Sequence, residues 1–266
     1  MMKIKNKYII NEIINEGNFG TVTKGFKIKD NKEIVVKFDK SGINIIKHES
    51  FILNYLSSKN VKNIPNVIYY GIYNNAPILI IPFYKYNLQE FLNINNDHST
   101  DFYISFIKIL ISIIQNIHSN LVIHRDIKPE NIMINHNNDP ILIDFGLSCF
   151  YFSHNGEHIN NNKISDIVGS YKYSSIHVNN YNTPSRRDDI ISISYILILL
   201  LFKQLPWDNI DISNYTNRKS LEYINTLCDF HPKSTILKNF FNYIYNIDFH
   251  EQPEYNFIYS TFDNII

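Results

Sequence analysis

Residues 122–134 read VIHRDIKPENIMI, with apolar residues at both ends. Between them stand an imidazole, a guanidinium, a carboxylate, an ammonium, a proline, a second carboxylate and an amide. Few folds place so much polar chemistry between two segments that read as buried. The apolar flanks have to anchor the stretch, and the polar groups have to be satisfied by one another or by something bound. Downstream, ILIDFGLS repeats the pattern: Asp144 ends an apolar strand, and Gly146 frees the chain to turn.

The 266 residues are 44% hydrophobic and 14% aromatic, enough for one large domain or for two lobes sharing a cleft. Lys plus Arg total 25 and Asp plus Glu total 25, which argues against a broad basic surface and specific nucleic-acid binding. Two cysteines, Cys149 and Cys228, cannot build a disulfide framework and point to a reducing interior. The N-terminal MMKIKNKYII has neither the apolar run nor the small-residue cleavage site of a signal peptide. The most membrane-like run, residues 190–202, is shorter than the roughly 20 residues a bilayer requires, so it is expected to be a buried core helix. Asn, Ile, Lys and Tyr are abundant, as in an AT-rich genome. HNGEHINNN and NINNDH therefore read as solvated loops, and His154 with His158 as loop residues rather than a metal pair.

Along the chain, YIINEIINE, GNFGTV and EIVVKF read as strands, with Gly17 and Gly20 permitting a tight turn. IIKHESFILNYLSS has helical spacing, with Ile46, Ser50, Leu53 and Ser57 along one row and Phe51 and Tyr55 beside it. NVIYYGIYN and APILIIPF read as a strand pair across an Asn-rich turn. DFYISFIKILISIIQNIHSN is apolar enough to predict a helix buried nearly all round, N-capped by Ser99 or Thr100 and stopped by a left-handed Asn120. The expectation is an α+β, bilobal chain: a small β-rich lobe over residues 1–81, a connection at 82–87 and a larger helical lobe over 88–266.

Four stretches then carry the chemistry. Glycines in NEGNFGTV let backbone N–H groups approach phosphate oxygens. Lys37 closes an apolar strand, with Glu49 on the next helix as its candidate partner. Asp126 can accept a hydroxyl proton, Lys128 can offset charge on a transferring phosphoryl group, and Asn131 offers an amide oxygen to a metal, with Pro129 fixing the backbone between them. Asp144 at a strand end suits a hard cation such as Mg²⁺.

In this order, HRDIKPEN followed by DFG resembles the protein-kinase signature set. GSYKYSSIHVN and PSRRDDIISISYILILLLFKQLPW narrow the resemblance to the casein kinase 1 family, where a Ser-Ile-Asn stretch replaces Ala-Pro-Glu; the vaccinia-related kinases are second. DFHEQPEYNFIYSTF is similar to that family's last helices. The resemblance implies a Ser/Thr protein kinase using ATP and Mg²⁺ on protein substrates. In it Lys37 holds the α- and β-phosphates and pairs with Glu49, and Asp126 is the catalytic base or hydroxyl-orienting group. Lys128 contacts the γ-phosphate, and Asn131 and Asp144 bind Mg²⁺. Asp189 holds the backbone of the loop that carries Asp126, and His124, Phe145 and Leu53 stack as a structural spine. Ile81 takes the gatekeeper position, Pro82 gives only its carbonyl, and Tyr84 supplies a backbone N–H to adenine. Asn15, Gly17, Gly20, Val22 and Val35 line the nucleotide.

Two positions depart from the family pattern. Asn15 replaces the first loop glycine, where tolerance of left-handed conformations would preserve the turn. Val35 replaces alanine above the adenine and would narrow the pocket. These two are the support for an alternative, a pseudokinase scaffold that binds ATP or partners without chemistry; a small-molecule phosphotransferase is a third reading. The family's preference for acidic or pre-phosphorylated substrates would rest on Arg125 and Lys172, with Ser165 at another family basic position and Lys163 close by. Activity without activation-loop phosphorylation is expected: no Ser or Thr of GEHINNNKISDIVGSYKYSS is clearly an activating site, and Ser165 and Ser170 are no more than candidates. Of four arginines, Arg125, Arg186 and Arg187 fall in motifs, which suggests bidentate pairing to a carboxylate or phosphate. The expected setting is a monomer without a membrane association, in the cytoplasm of an AT-rich microbe or, for a large DNA virus, in host cytoplasm and the virion.

Overall fold

A computed structural model describes residues 2–17, 20–40, 42–94, 98–153 and 155–264. Asn18 and Phe19 of GNFGTV, His154, and part of the NINNDH stretch lie outside the described residues.

The first lobe is an antiparallel sheet of β1 (Met2–Ile4), β2 (Tyr8–Gly17), β3 (Gly20–Lys27), β4 (Glu33–Asp39), β5 (Tyr69–Tyr73) and β6 (Ala76–Pro82), in the order β1-β2-β3-β4-β6-β5. Helix α1 (Ile45–Ser58) crosses between β4 and β5. Tight turns set the register: Asn74 and Asn75 both have positive φ between β5 and β6, as do Lys5 and Asn6 between β1 and β2. Strand β1 was not anticipated from the sequence. Its Ile4 is fully buried with Ile10, Ile34, Val36, Ile78 and Ile80 in a core on one sheet face.

Alternation sends the remaining strand residues to the other face. There Val22 pairs with Lys37, Lys37 with Leu79, and Val35 with Ile81. Cross-strand partners share a face, so Val22, Val35, Lys37, Leu79 and Ile81 form one surface toward the second lobe. Gly20 has its own constraint, since a Cβ there would stand 1.9 Å from the Phe38 carbonyl oxygen.

The buried face of α1 runs through Ile46, Glu49, Ser50, Ile52, Leu53 and Leu56. It is rotated from the expected row. Ser57 is exposed, and Phe51 is 57% exposed with its ring edge-on to Phe150 at 6.3 Å.

The second lobe begins with β7 (Tyr86–Asn87), α2 (Leu88–Ile94) and α3 (Thr100–Ser119). Short strands follow: β8 (Val122–Ile123), β9 (Ile132–Ile134), β10 (Pro140–Leu142) and β11 (Cys149–Phe150). Then come α4 (Ile176–Asn179), α5 (Arg186–Phe202), α6 (Tyr215–Arg218), α7 (Leu221–Cys228), α8 (Ser234–Tyr245) and α9 (Tyr255–Asp263). Ser99 caps α3 by accepting the Phe102 N–H at 3.2 Å.

Three helix expectations need correction. α3 is not buried all round: Asp101, Ser105, Asn116 and Ser119 are exposed, along a stripe that also holds Lys108 and Ser112. Its left-handed stop is Leu121 (φ 63°), while Asn120 has φ −103°. By length and composition α3, not residues 190–202, is the helix that could cross a bilayer, yet ten of its residues pack into the core. The helix enclosed on every side is α5, buried from Arg186 through Leu200. It opens with a capping box in which Asp188 accepts the Ser185 N–H at 2.7 Å, and Ser192 and Ser194 return their hydroxyls to its own carbonyls.

Candidate active site

Between β8 and β9 the chain turns sharply, and a buried carboxylate holds it there. Asp189, on the first turn of α5, accepts the backbone N–H of His124 at 2.8 Å and of Arg125 at 2.9 Å. Its third partner is His118 Nε2 at 3.0 Å. Burial works against the Asp189 charge, but these donors win and hold its pKa below the ordinary value. The clamp keeps Arg125 at φ 70°, a left-handed conformation that costs a non-glycine residue free energy.

His124 accepts the Asp126 N–H at Nδ1 (3.3 Å), which leaves Nε2–H to donate to the Ile143 carbonyl at 3.1 Å. Its ring meets Phe145 edge-on at 4.8 Å, and Phe145 and Leu53 are fully buried in one cluster. The loop carrying Asp126 and the turn carrying Asp144 are thereby packed as a unit beneath α1.

Asp126 is 8% exposed, and both its oxygens are engaged. Oδ2 accepts from Lys128 Nζ at 2.7 Å and Asn131 Nδ2 at 2.9 Å; Oδ1 accepts the Ser170 N–H at 2.9 Å. Asn131 Nδ2 also donates to the Asp126 carbonyl at 2.9 Å, so the amide nitrogen is committed and the amide oxygen is left for another ligand. Gly169 permits the approach of the following segment: it has φ 85°, and a Cβ there would lie 2.3 Å from the Arg125 carbonyl oxygen.

Opposite stands Lys37. Its Nζ lies 2.7 and 2.9 Å from the Glu49 oxygens and 3.3 Å from Asp144 Oδ1. Burial alone would push the amine down, but the Asp144 and Glu49 carboxylates outweigh it and raise the pKa. Lys37 in turn draws Asp144 down. Asp144 has φ 67°, which turns the chain out of β10, and its side chain is 45% exposed toward the cleft. A carboxylate oxygen and an amide oxygen are the donors a hard divalent cation takes, so these residues fit Mg²⁺.

At the cleft's back wall Ile81 is buried at the end of β6, with Val35 beside it in register. Among the described residues, no acceptor takes the Tyr84 N–H. Asn15 sits in β2 opposite Val22 with no positive φ. The left-handed tolerance invoked for it is not used, because an extended strand accepts any residue there.

The basic residues are arranged differently from the expectation. Arg125 Nε donates to the Leu147 carbonyl at 2.5 Å. Lys172 is paired with Asp208 at 2.6 Å, Lys163 donates to the Asn180 carbonyl, and Ser165 is exposed with its hydroxyl on Asp166. Arg186 and Arg187 do not make bidentate ion pairs. Their guanidinium groups donate to the His250 and Ile247 carbonyls and lie over the Tyr151 and Phe249 rings at 4.6 and 5.8 Å. His158 packs against the rings of Phe152, Phe249 and His250; no group of three or more potential metal-binding side chains occurs among the described residues.

Sequence reading missed Lys219. It is fully buried, and its Nζ donates to the carbonyls of Tyr171 (2.8 Å) and Ser174 (2.7 Å) and to Asn179 Oδ1 (2.7 Å). The rings of Tyr171, Tyr195, Trp207 and Tyr215 surround it at 5.1 to 5.8 Å. Burial pushes this amine down to about 6. Its one sequence signal was a lysine beside an arginine in a polar stretch, which reads as a solvated surface.

The protein kinase domain model matches residues 8–256. A probable casein kinase I homolog of Encephalitozoon cuniculi is 34% identical over 271 residues, covering 97% of this chain and 84% of that protein. Casein kinase I homolog 2 of Schizosaccharomyces pombe is 26% identical, covering 97% of this chain and 62% of its own length. A casein kinase 1-like protein of Oryza sativa subsp. japonica is 28% identical over 98% of this chain and 40% of its own. A cleft with one lysine bridging two carboxylates, a clamped HRD loop and these relatives converge: the chain belongs to the protein kinase family, in its casein kinase I group of Ser/Thr kinases.

Proposed function

We propose that the cleft takes Mg²⁺ and ATP and that Asp126 orients the Ser or Thr hydroxyl of a protein substrate for transfer of the γ-phosphoryl group. Residues 82–87 serve as the hinge between lobes 1–81 and 88–266. Adenine lies on the face made by Val22, Val35 and Ile81, beside Gly17 and Gly20, with the Tyr84 N–H as its donor and the Pro82 carbonyl as its acceptor. Lys37 holds the α- and β-phosphates and is itself held by Glu49. The Asn131 amide oxygen and the Asp144 carboxylate hold Mg²⁺, which when bound offsets charge on the phosphate oxygens. Lys128, resting on Asp126, reaches the γ-phosphoryl group. The protein's part is positioning and fixed charge rather than covalent chemistry.

The observation that carries this reading is the Asp126 carboxylate, aimed by three donors from two segments: Lys128, Asn131 and the Ser170 N–H. A scaffold without chemistry has no need for a carboxylate held this closely. Recognition of an acidic or phosphorylated group would draw on Arg125 and Lys172, and Lys172 already has a carboxylate in Asp208.

The test is transfer of labelled phosphate from ATP, with Mg²⁺, to casein and to a basic protein, alongside Asp126→Asn and Asp144→Ala. Transfer by the wild type, reduced by roughly 10²–10⁴-fold in Asp126→Asn, supports the assignment. ATP binding with no transfer to either protein would favour the pseudokinase scaffold, and near-normal turnover by Asp126→Asn would remove that residue from the mechanism.

A further inference from the structure

Residues 170–179 form a shelf beside Asp126, joined to it through the Ser170 N–H. Lys172 is the only lysine or arginine in this segment. Its Nζ lies 2.6 Å from Asp208 Oδ1, with side-chain exposures of 39% and 23%. The carboxylate is built into place rather than drifting to the lysine. Its other oxygen accepts the Leu205 N–H at 2.9 Å, and the Asp208 N–H returns to the Leu205 carbonyl at 3.0 Å. Neighbouring Trp207, fully buried, donates Nε1–H to the Lys172 carbonyl at 2.9 Å. One tight turn therefore fixes both the backbone of Lys172 and the charge opposite its side chain.

The surroundings are acidic as well. Burial, then Glu130, then Asp208 push the Tyr173 hydroxyl up, so both carboxylates act on the residue next to Lys172. A second lysine at the shelf, Lys219, is fully buried and has its amine against three of the shelf's oxygens. No substrate reaches it.

We infer that Asp208 is a specificity-determining residue: it occupies the place on Lys172 that an acidic or phosphorylated group of a substrate would take, so this kinase selects its acceptor without regard to an anion there. The inference rests on the proposed kinase reading. An anchored carboxylate competes at the effective concentration of an intramolecular partner, which a peptide in solution does not match. An incoming phosphate, with a charge of about −1.5 to −2, would also meet Asp208 and Glu130 as like charges.

The experiment uses two peptides that differ only in Ser or phosphoserine upstream of one acceptor Ser. Binding to the full chain, with Mg²⁺ and a non-hydrolysable ATP analogue, is followed by fluorescence anisotropy, and kcat/KM is measured in parallel. Asp208→Asn keeps an oxygen for the Leu205 N–H and removes the charge. Wild type should bind the two peptides within about threefold, and Asp208→Asn should move the ratio toward phosphoserine by roughly fivefold or more. Adding Lys172→Met to Asp208→Asn should cancel that shift. Lys172→Met alone should leave the wild-type ratio within about twofold, a check that does not depend on Asp208→Asn folding. A wild type that prefers phosphoserine by about tenfold, with the preference lost in Lys172→Met, overturns the inference. So does Asp208→Asn with an unchanged ratio and an unchanged Tm. Absence of phosphate transfer to both peptides would defeat the kinase reading alone, because the anisotropy ratios still decide the role of Asp208.

Discussion

Lys37 Nζ touches both oxygens of Glu49, at 2.7 and 2.9 Å, while also standing 3.3 Å from Asp144 Oδ1. One ammonium thereby ties α1 to β4 and to the turn after β10. Glu49 is 1% exposed, so its charge depends on this partner. With the pair formed, Lys37 is held at the cleft by the protein's own carboxylates.

Glu49→Gln keeps the shape and removes the charge. Lys37 would then lean on Asp144 and compete with the cation proposed there. A charged hydrogen bond is worth about 1.5–3 kcal/mol, so kcat/KM for ATP should fall roughly 10- to 150-fold, with KM for ATP rising. Steady-state kinetics at several Mg²⁺ concentrations checks this. A variant with unchanged kinetics would mean the pair does not position Lys37.

Asp189 makes a prediction about stability. Its carboxylate answers two backbone N–H groups and His118, all buried or nearly so. Asp189→Ala leaves those donors without a partner and should cost about 2–5 kcal/mol, read by urea unfolding. The wild-type contribution carries a sign in pH. The folded pKa lies below the unfolded one, so the contribution is complete above the unfolded carboxylate range and is lost as pH falls through the folded value. A destabilisation that does not shrink as the pH is lowered through the acid range would contradict that assignment.

The sheet, α1 and the site motifs could be read from sequence because their signals are local: alternation in EIVVKF, Asn pairs at tight turns, and the spacing within HRDIKPEN. What could not be read depends on distant partners. Lys172 reads as a free cation until the turn at Leu205 brings Asp208 to it, 36 residues along the chain. Lys219 reads as surface until the aromatic rings of Tyr171, Tyr195, Trp207 and Tyr215 close over it. α3 and α5 are similarly apolar in composition, and only their neighbours decide which is enclosed. Strand β1 was missed although Lys5, Asn6 and Lys7 make a three-residue turn, with Lys5 and Asn6 at positive φ.

Val35 and Ile81 are register partners on the cleft-facing side of the sheet. Val35→Ala removes two methyl groups from the proposed adenine pocket. Bulky adenine-site inhibitors should bind about tenfold tighter to the variant, by the area each methyl group withholds, while ATP changes less. Competition assays against a series of increasing inhibitor size measure this. Equal affinities for both proteins would place Val35 outside the pocket wall.

Lys219 gives the sharpest pH prediction. Three oxygens match the three N–H bonds of its protonated form, and four ring faces favour the cation, but burial works against the charge and depresses the pKa to about 6. An amine held below its unfolded value leaves the folded chain with fewer bound protons than the unfolded chain between about pH 6 and the ordinary lysine range near 10.4. Stability from this group therefore rises with pH across that window. Lys219→Met is close in volume, suits the surrounding rings and cannot titrate. The difference in unfolding free energy, wild type minus variant, should climb by up to about 1.4 kcal/mol per pH unit from pH 6 to 9, with other titrating groups cancelling. Urea unfolding of both proteins at four pH values supplies the slope. A flat difference would show the amine fully protonated in both states, with the carbonyl oxygens and rings balancing its desolvation.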